Sequence, residues 1–383
     1  MIIPLANRLK QVEDYYFVKK LEEIKKLNDA GKDIISFGIG SPDMAPSQNT
    51  VQALVDSARN SKNHGYQPYR GLPELRQGIA DFYEDTYKVK LNPANQILPL
   101  LGSKEGILHI SMAFLNPGDK VLVPDPGYPT YTSVSNLLSA EIVTYDLTEE
   151  TGWYPDLAKI EKQDLTGVRM MWINYPHMPT GAKANLERFA ELIAFAKKHQ
   201  ILLCHDNPYS LVLNDDEPIS ILSVPGAFEV AIELNSLSKS FNMAGWRVGM
   251  VVGREDYLGA ILRVKSNIDS GMFLPVQLAS IEALKNEEEW HDARNQEYFE
   301  RRQLIFQFFD KLGFTYDKQQ MGLFVWAKAP DTIKDVPAYA DFLLYDKNIF
   351  VTPGIIFGKN GGRYLRASLC VSQARAKMAL ERL

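Results

Sequence analysis

The sequence predicts an α/β protein, and three observations carry the prediction. Short apolar runs, such as residues 168–173 and 230–234, read as strands. Segments of helical pattern, such as residues 12–30 and 50–59, lie between other such runs. Several of the runs end in loops of glycine, proline and small hydroxyl residues. A length of 383 residues allows two domains, or one large and one small.

Composition narrows the function classes. With 45% hydrophobic and 23% charged residues the balance is that of a soluble globular chain. A net charge of −5 argues against a nucleic-acid or anionic-membrane surface. The two cysteines, Cys204 and Cys370, lie in apolar contexts without metal-ligand spacing, so reduced buried thiols and no metal are expected. The first ten residues have no apolar region of signal-peptide length, and no apolar run is long enough to span a membrane. A cytoplasmic protein is therefore expected.

The elements follow in order. Residues 12–30 pattern as an amphipathic helix, with Val18, Leu21, Ile24 and Leu27 between lysines and glutamates and Gly31 as a stop. Residues 34–43 are a short strand and turn, where Gly38 and Gly40 either let the backbone approach a ligand or form a plain turn. Residues 50–59 are helical. Residues 65–76 are a structured loop with a helix starting near Pro73, and Tyr66 alone reads as a packing residue. Residues 96–101 are a strand feeding Gly102-Ser103-Lys104-Glu105-Gly106, which opens a helix to about Phe114. A small-residue loop at a helix N-terminus is an anion site, here without P-loop spacing. Lys104 belongs to that site or is plain surface charge.

Residues 119–131 are a strand and a proline loop, whose Tyr128 can stack on a planar ring or wedge between loops. Residues 168–173 are a strand ending in Asn174-Tyr175-Pro176-His177-Met178-Pro179-Thr180-Gly181. Residues 201–206 end in Asp206, followed by Tyr209; the acid is a cap, or the partner of a pyridine nitrogen. Strands at 230–234 and 248–253 flank the segment 235–249. A buried Lys239 must be paired, neutral or covalently used, while Ser236, Ser238 and Arg247 supply donors for an oxyanion such as phosphate. That combination suits pyridoxal phosphate; the alternative is a solvated turn with an incidental lysine. Residues 267–277 are a loop into one long helical region, about 276–312. Strands at 322–327, 349–354 and 364–369 close the chain. Period-two alternation puts Tyr364, Arg366 and Ser368 on one face and Leu365, Ala367 and Leu369 in a core. Arg366 is thus expected to face a polar space, as a carboxylate clamp or in a surface ion pair, and Arg363 has the opposite parity.

Segment 235–249, with Lys239 and Gly245-Trp246-Arg247-Val248-Gly249, resembles almost residue for residue the cofactor-lysine signature of the class I/II aminotransferases. The similarity runs from Ser36 to Leu369, with the motifs in family order. It implies a fold-type I transferase: a large α/β domain (48–279) with a seven-stranded, mostly parallel sheet, and a small α+β domain from residues 1–47 and 280–383. It implies pyridoxal 5'-phosphate, held covalently by Lys239. The phosphate would meet Ser103, Lys104, Ser236, Ser238, Arg247 and a Tyr66 reaching in from a partner subunit. Tyr128 would lie on the ring, Asp206 at its nitrogen and Tyr209 at its phenolic oxygen. Arg366 would clamp the substrate α-carboxylate, with Gly40 and Asn174 beside the substrate. A homodimer with shared active sites follows. One departure stands out: where the family has asparagine before Pro-Thr-Gly, this chain has Met178, a very weak hydrogen-bond partner. His177, Asn174 or nothing replaces it.

The resemblance implies transamination between an L-amino acid and a 2-oxo acid by a ping-pong mechanism, with Lys239 as general base and then acid. A carbon–sulfur β-lyase and a non-catalytic cofactor-binding sensor are the alternatives. The Gly-Trp-Arg-Val-Gly run looks more like the aminotransferase form, and a sensor would need a DNA-binding module. No second arginine matches a dicarboxylate clamp, which leaves aromatic, methionine-like and diaminopimelate-like donors.

Overall fold

The computed structural model describes residues 3–12 and 16–383. The strands in chain order are β1 (Ile35–Ser36), β2 (Ile97–Leu100), β3 (Lys120–Asp125), β4 (Glu141–Asp146), β5 (Val168–Asn174), β6 (Leu202–Asp206), β7 (Ala231–Ser236), β8 (Gly249–Gly253), β9 (Thr315–Tyr316), β10 (Phe324–Lys328), β11 (Ile349–Phe350), β12 (Thr352–Pro353) and β13 (Tyr364–Ser368). Seven of them form one sheet in the order β2-β8-β7-β6-β5-β3-β4. Only β8 runs against its neighbours, so the sheet is mostly parallel, as expected.

Helices cover both faces of this sheet, which is why its strands are near-continuous apolar runs. Along β5, Met170 and Trp172 enter one core, and Met171 and Ile173 enter the other. One pair breaks the apolar rule inside the sheet. His205 on β6 and Glu233 on β7 are fully buried, 2.9 Å apart, and Glu233 also accepts from Tyr83 and Ser220. Every polar atom sunk there has a partner, which is what makes the burial tolerable. A third core joins the antiparallel sheet β12-β13-β10-β9 to the helix Glu288–Lys311. β1 and β11 pair as a separate parallel ribbon.

The sheet sets up the site by register. Asn174, Asp206 and Leu234 lie side by side at the ends of parallel strands, and Ser236 is level with Gly249. The crevice beyond such carboxyl ends is where open α/β sheets bind ligands.

The structure departs from expectation in two places, the long C-terminal helical region and the stripe of the N-terminal helix. The region expected as one helix over about 276–312 is two, Leu274–Leu284 and Glu288–Lys311, because the first closes at Lys285, whose amide bonds back to Glu282. The N-terminal helix is described over Tyr16–Asp29; residues 13–15 of the expected helix lie outside the described residues. Its apolar stripe is split. Ile24 and Leu27 pack with Ile34, Leu344 and Phe350, whereas Val18 and Leu21 are not buried in that core.

Candidate active site

Two crevice edges are built from glycine. The helix Ser103–Phe114 begins after Gly102, which has φ +93° and gives it no side-chain cap. Its first amides therefore face the crevice with the positive end of the helix dipole. A Cβ on Gly102 would lie 2.0 Å from Arg247 Nη2, and one on Gly249 would lie 2.7 Å from the Ser103 amide nitrogen. Two chain segments, 102–103 and 247–249, thus close on one spot that admits no side chain there. Arg247 sits in the left-handed region at φ 57°, which turns its guanidinium toward this spot. Ser238 lines the crevice. Ser236 does too, but its hydroxyl already accepts from the Ser238 amide at 3.1 Å and donates to the Val248 carbonyl at 3.2 Å. Burial, then Arg247, lowers the Lys104 amine below its usual value.

The floor is a strand end. Asp206 is buried at the tip of β6; its Oδ2 accepts from the Tyr131 hydroxyl at 2.9 Å, and its Oδ1 has no partner among the described residues. Burial raises its carboxyl to about 6. Tyr131 is held in turn by stacking on Trp172, with centroids 4.9 Å apart and planes 4° from parallel. Tyr128 stands edge-on to Tyr131. Tyr209 is buried, and burial pushes its phenol well above the usual range. Asn174 is a tie: its amide donates to the Asp206 carbonyl at 2.6 Å and accepts from the Met178 amide at 2.8 Å.

The opposite wall comes from the chain ends. Lys239 Nζ donates to the Gly40 carbonyl, and burial lowers its amine, with the Arg366 and Arg247 charges adding to the effect against a pull from Cys370. Arg366 Nη2 donates to the Gly38 carbonyl at 2.7 Å. The glycines at 38 and 40 are explained by protein rather than ligand. A Cβ would strike Phe350 from Gly38 and Phe324 from Gly40, at 2.0 and 2.2 Å.

Of the residues the sequence singled out, Gly40, Ser103, Lys104, Tyr128, Asn174, Asp206, Tyr209, Ser236, Ser238, Lys239, Arg247 and Arg366 line one cavity of about 540 Å³. Tyr66 does not; it is 93% exposed on the outer surface. His177 does not either, as its Nδ1 is bonded to Thr180 at 2.8 Å outside the lining. Arg366 does face the cavity that Asn174, Asp206 and Lys239 line, but its immediate surround is more aromatic than expected. Its Cζ lies 4.0 Å from the Phe324 ring centre and 4.5 Å from that of Phe357, and Nη1 is 3.4 Å from Met178 Sδ. Period two gave the side of the strand correctly but not what the loops would lay across it. Sequence reasoning also missed Tyr131, three residues after Tyr128, and the cavity wall of Phe17, Val18 and Leu21. The proline loop held a signal for the first; nothing local marks the second.

A family model described as "Aminotransferase class I and II" matches residues 32–383. The chain belongs to the class I and II aminotransferases. It is 41% identical over 379 residues to the LL-diaminopimelate aminotransferase of Natranaerobius thermophilus, covering 99% of this chain and 98% of that one. The same enzyme of Moorella thermoacetica is 41% identical, with 99% and 97% covered. Among solved structures, substrate-bound BacF from Bacillus subtilis superposes with a TM-score of 0.94 at 36% identity, covering 100% of this chain and 97% of that one. This chain is thus a pyridoxal-phosphate-dependent aminotransferase, moving an amino group from an L-amino acid to a 2-oxo acid. The relatives support that reading and not the lyase. The cavity fits the cofactor on its own evidence. The unpartnered Asp206 Oδ1 suits a protonated ring nitrogen, and the side-chain-free cradle at Gly102 and Gly249 suits a phosphate.

Proposed function

We propose that Lys239 is the amine that carries the cofactor and moves the reacting proton, and that Asp206, Tyr209, Arg247 and Arg366 divide the remaining work. The observation that carries this is the convergence of all five on one cavity, with the lysine amine buried and hydrogen-bonded to Gly40. When bound, the cofactor supplies an electron sink for the bonds at the donor's Cα. Lys239, kept neutral more easily by burial, takes the proton from that carbon. Asp206 holds the ring N–H through Oδ1; a cation opposite would bring its raised pKa down again. Tyr131 keeps that carboxylate in place. Ser103, Lys104, Ser238, Arg247 and the first amides of the helix Ser103–Phe114 bind the phosphate, with Ser236 holding the Ser238 amide. Tyr128 packs on the ring and Tyr209 donates to its phenolic oxygen. Asn174 positions the Met178 loop and Gly40 receives the lysine, both beside the substrate. Arg366 takes the α-carboxylate.

The division into residues 48–279 and residues 1–47 with 280–383 belongs to the same proposal. It is supported by the seven-stranded sheet, which uses only strands from β2 to β8. So does a homodimer in which Tyr66 serves the partner's phosphate; the exposure of Tyr66 supports it. A cytoplasmic setting agrees with the two free thiols.

Borohydride treatment of the cofactor-loaded protein, followed by peptide mass analysis, tests the central claim. The added cofactor mass is expected on the Lys239 peptide, and Lys239→Ala is expected to fix none. Cofactor mass on another lysine would overturn the assignment.

A further inference from the structure

We propose that Asp125 is a positioning residue for the donor site: its carboxylate pins the turn that carries Phe357, and so fixes where Arg366 stands relative to Tyr128. This rests on the roles proposed for Arg366 and Tyr128 and deepens them.

Asp125 ends β3 and lies three residues before Tyr128 in the proline loop. It is only 8% exposed, and each carboxylate oxygen accepts a backbone N–H from a remote segment. Oδ2 takes the Lys359 amide at 3.1 Å, and Oδ1 takes the Asn360 amide at 3.0 Å. Further bonds flank this pair. The Asn360 side-chain amide donates to the Asp125 carbonyl and to Asp146 Oδ1, both at 3.0 Å. The Gly127 amide donates to the Phe357 carbonyl at 2.8 Å. The two segments meet without slack, since a Cβ on Gly358 would lie 2.1 Å from Asp125 Oδ1. Burial pushes the Asp125 carboxyl above its usual range, against the pull of the two amides. An acid is kept at this seam despite that cost, and hydrogen bonds to a charged acceptor are the stronger kind.

The turn beyond this latch is tight enough to pass the restraint on. The Gly358 amide donates to the Ile355 carbonyl and the Gly361 amide to the Gly358 carbonyl, each at 3.1 Å. A Cβ on Gly361 would lie 2.1 Å from the Gly354 carbonyl oxygen. Phe357 is buried within this turn, and its ring centre is 4.5 Å from Arg366 Cζ. Phe357, Arg366 and Tyr128 all line the cavity. Tyr128 has its own anchor, because the helix Pro129–Leu137 starts from it and its carbonyl accepts from the Tyr131 amide at 3.1 Å. Releasing the latch therefore frees the Phe357 turn and leaves Tyr128 where it is. The donor's carboxylate loses its place, and the cofactor ring keeps its own.

The test compares variants of the cofactor-loaded enzyme in the donor half-reaction, read as loss of the cofactor's visible band. L-phenylalanine, L-glutamate and LL-diaminopimelate are the donors tried. Asp125→Asn keeps the shape but turns an NH2 group toward one of the two amides. It is expected to raise donor KM about tenfold, the worth of one hydrogen bond to a charged group, with kcat and cofactor Kd within about twofold. Asn360→Ala, at a partly exposed side chain, is expected to raise KM about threefold. Lys359→Ala removes a side chain and leaves its amide, so KM is expected to stay as it is. An unmoved KM in Asp125→Asn overturns the proposal; should that variant not fold, Asn360→Ala decides in its place. A cofactor Kd that rises as much as KM, or a Lys359→Ala effect equal to that of Asp125→Asn, also overturns it. If no donor moves the wild-type band, transamination itself falls. The latch is then judged by hydrogen exchange: the amides of residues 357–361 are expected to exchange at least about tenfold faster in Asp125→Asn, and equal rates overturn it.

Discussion

Asp206 is the clearest case of a residue whose proposed role comes at a cost to stability. Its carboxyl stands at about 6 in the fold against 3.8 for the unperturbed group, and burial is the main cause. The native state therefore keeps a proton that the unfolded chain releases between those values, and stability falls as pH rises through that window. At about 1.4 kcal/mol per pKa unit the charge costs the cofactor-free protein on the order of 3 kcal/mol above it. Asp206→Asn is accordingly expected to raise the thermal midpoint of the cofactor-free protein at pH 7.5, with the advantage shrinking toward pH 4. Thermal unfolding across that pH range checks this. Met178 makes a second case. An asparagine there would donate to the cofactor's phenolic oxygen, so Met178→Asn is expected to lower the pH midpoint of the bound cofactor's visible band. Spectral titration of the two proteins decides it, and an unchanged midpoint would show that another donor, such as Tyr209, already serves.

At the scale of elements, strands covered on both faces were legible, and the half-exposed edge strand was not. β5, β6 and β7 are covered on both faces, so they are unbroken apolar runs that stop at Asn174, Asp206 and Ser236. β4 is an edge strand, half exposed, and its residues Glu141–Asp146 carry no such run. The helix Leu186–His199 was also missed. It has an amphipathic stripe, and its start rests on Asn185, which accepts from the Arg188 amide at 2.9 Å. Asn185→Ala is expected to cost about 1 kcal/mol, seen as a lowered thermal midpoint with cofactor affinity unchanged. Gly102→Ala is expected to lower cofactor affinity as well. Its Cβ would meet the Arg247 guanidinium and its φ of +93° would be strained, so cofactor affinity is expected to drop at least about tenfold in a titration of the cofactor-free protein.

At the scale of the molecule, the cavity draws on both ends of the chain, and this limited what the sequence could disclose. The residues proposed to bind and activate were recognisable because most follow their own strand or open their own helix. The Arg366 surround was not, because Phe17, Phe324 and Phe357 meet there from three distant segments. The same limit applies to Tyr66, which lies on the outer surface of its own chain. If it serves a second subunit, Tyr66→Phe is expected to weaken cofactor binding roughly tenfold, the worth of one hydrogen bond to a charged group. Diluting the wild-type protein to monomers is expected to do likewise, as sedimentation with spectral detection would register.

Two carbonyls, those of Gly38 and Gly40, hold Arg366 and Lys239 against the segment that follows the N-terminal helix. That segment ties Arg366 and Lys239 together through its backbone alone. Under the roles proposed for Arg366 and Lys239, this short backbone stretch sets the distance between the group that holds the donor and the amine that reacts with it.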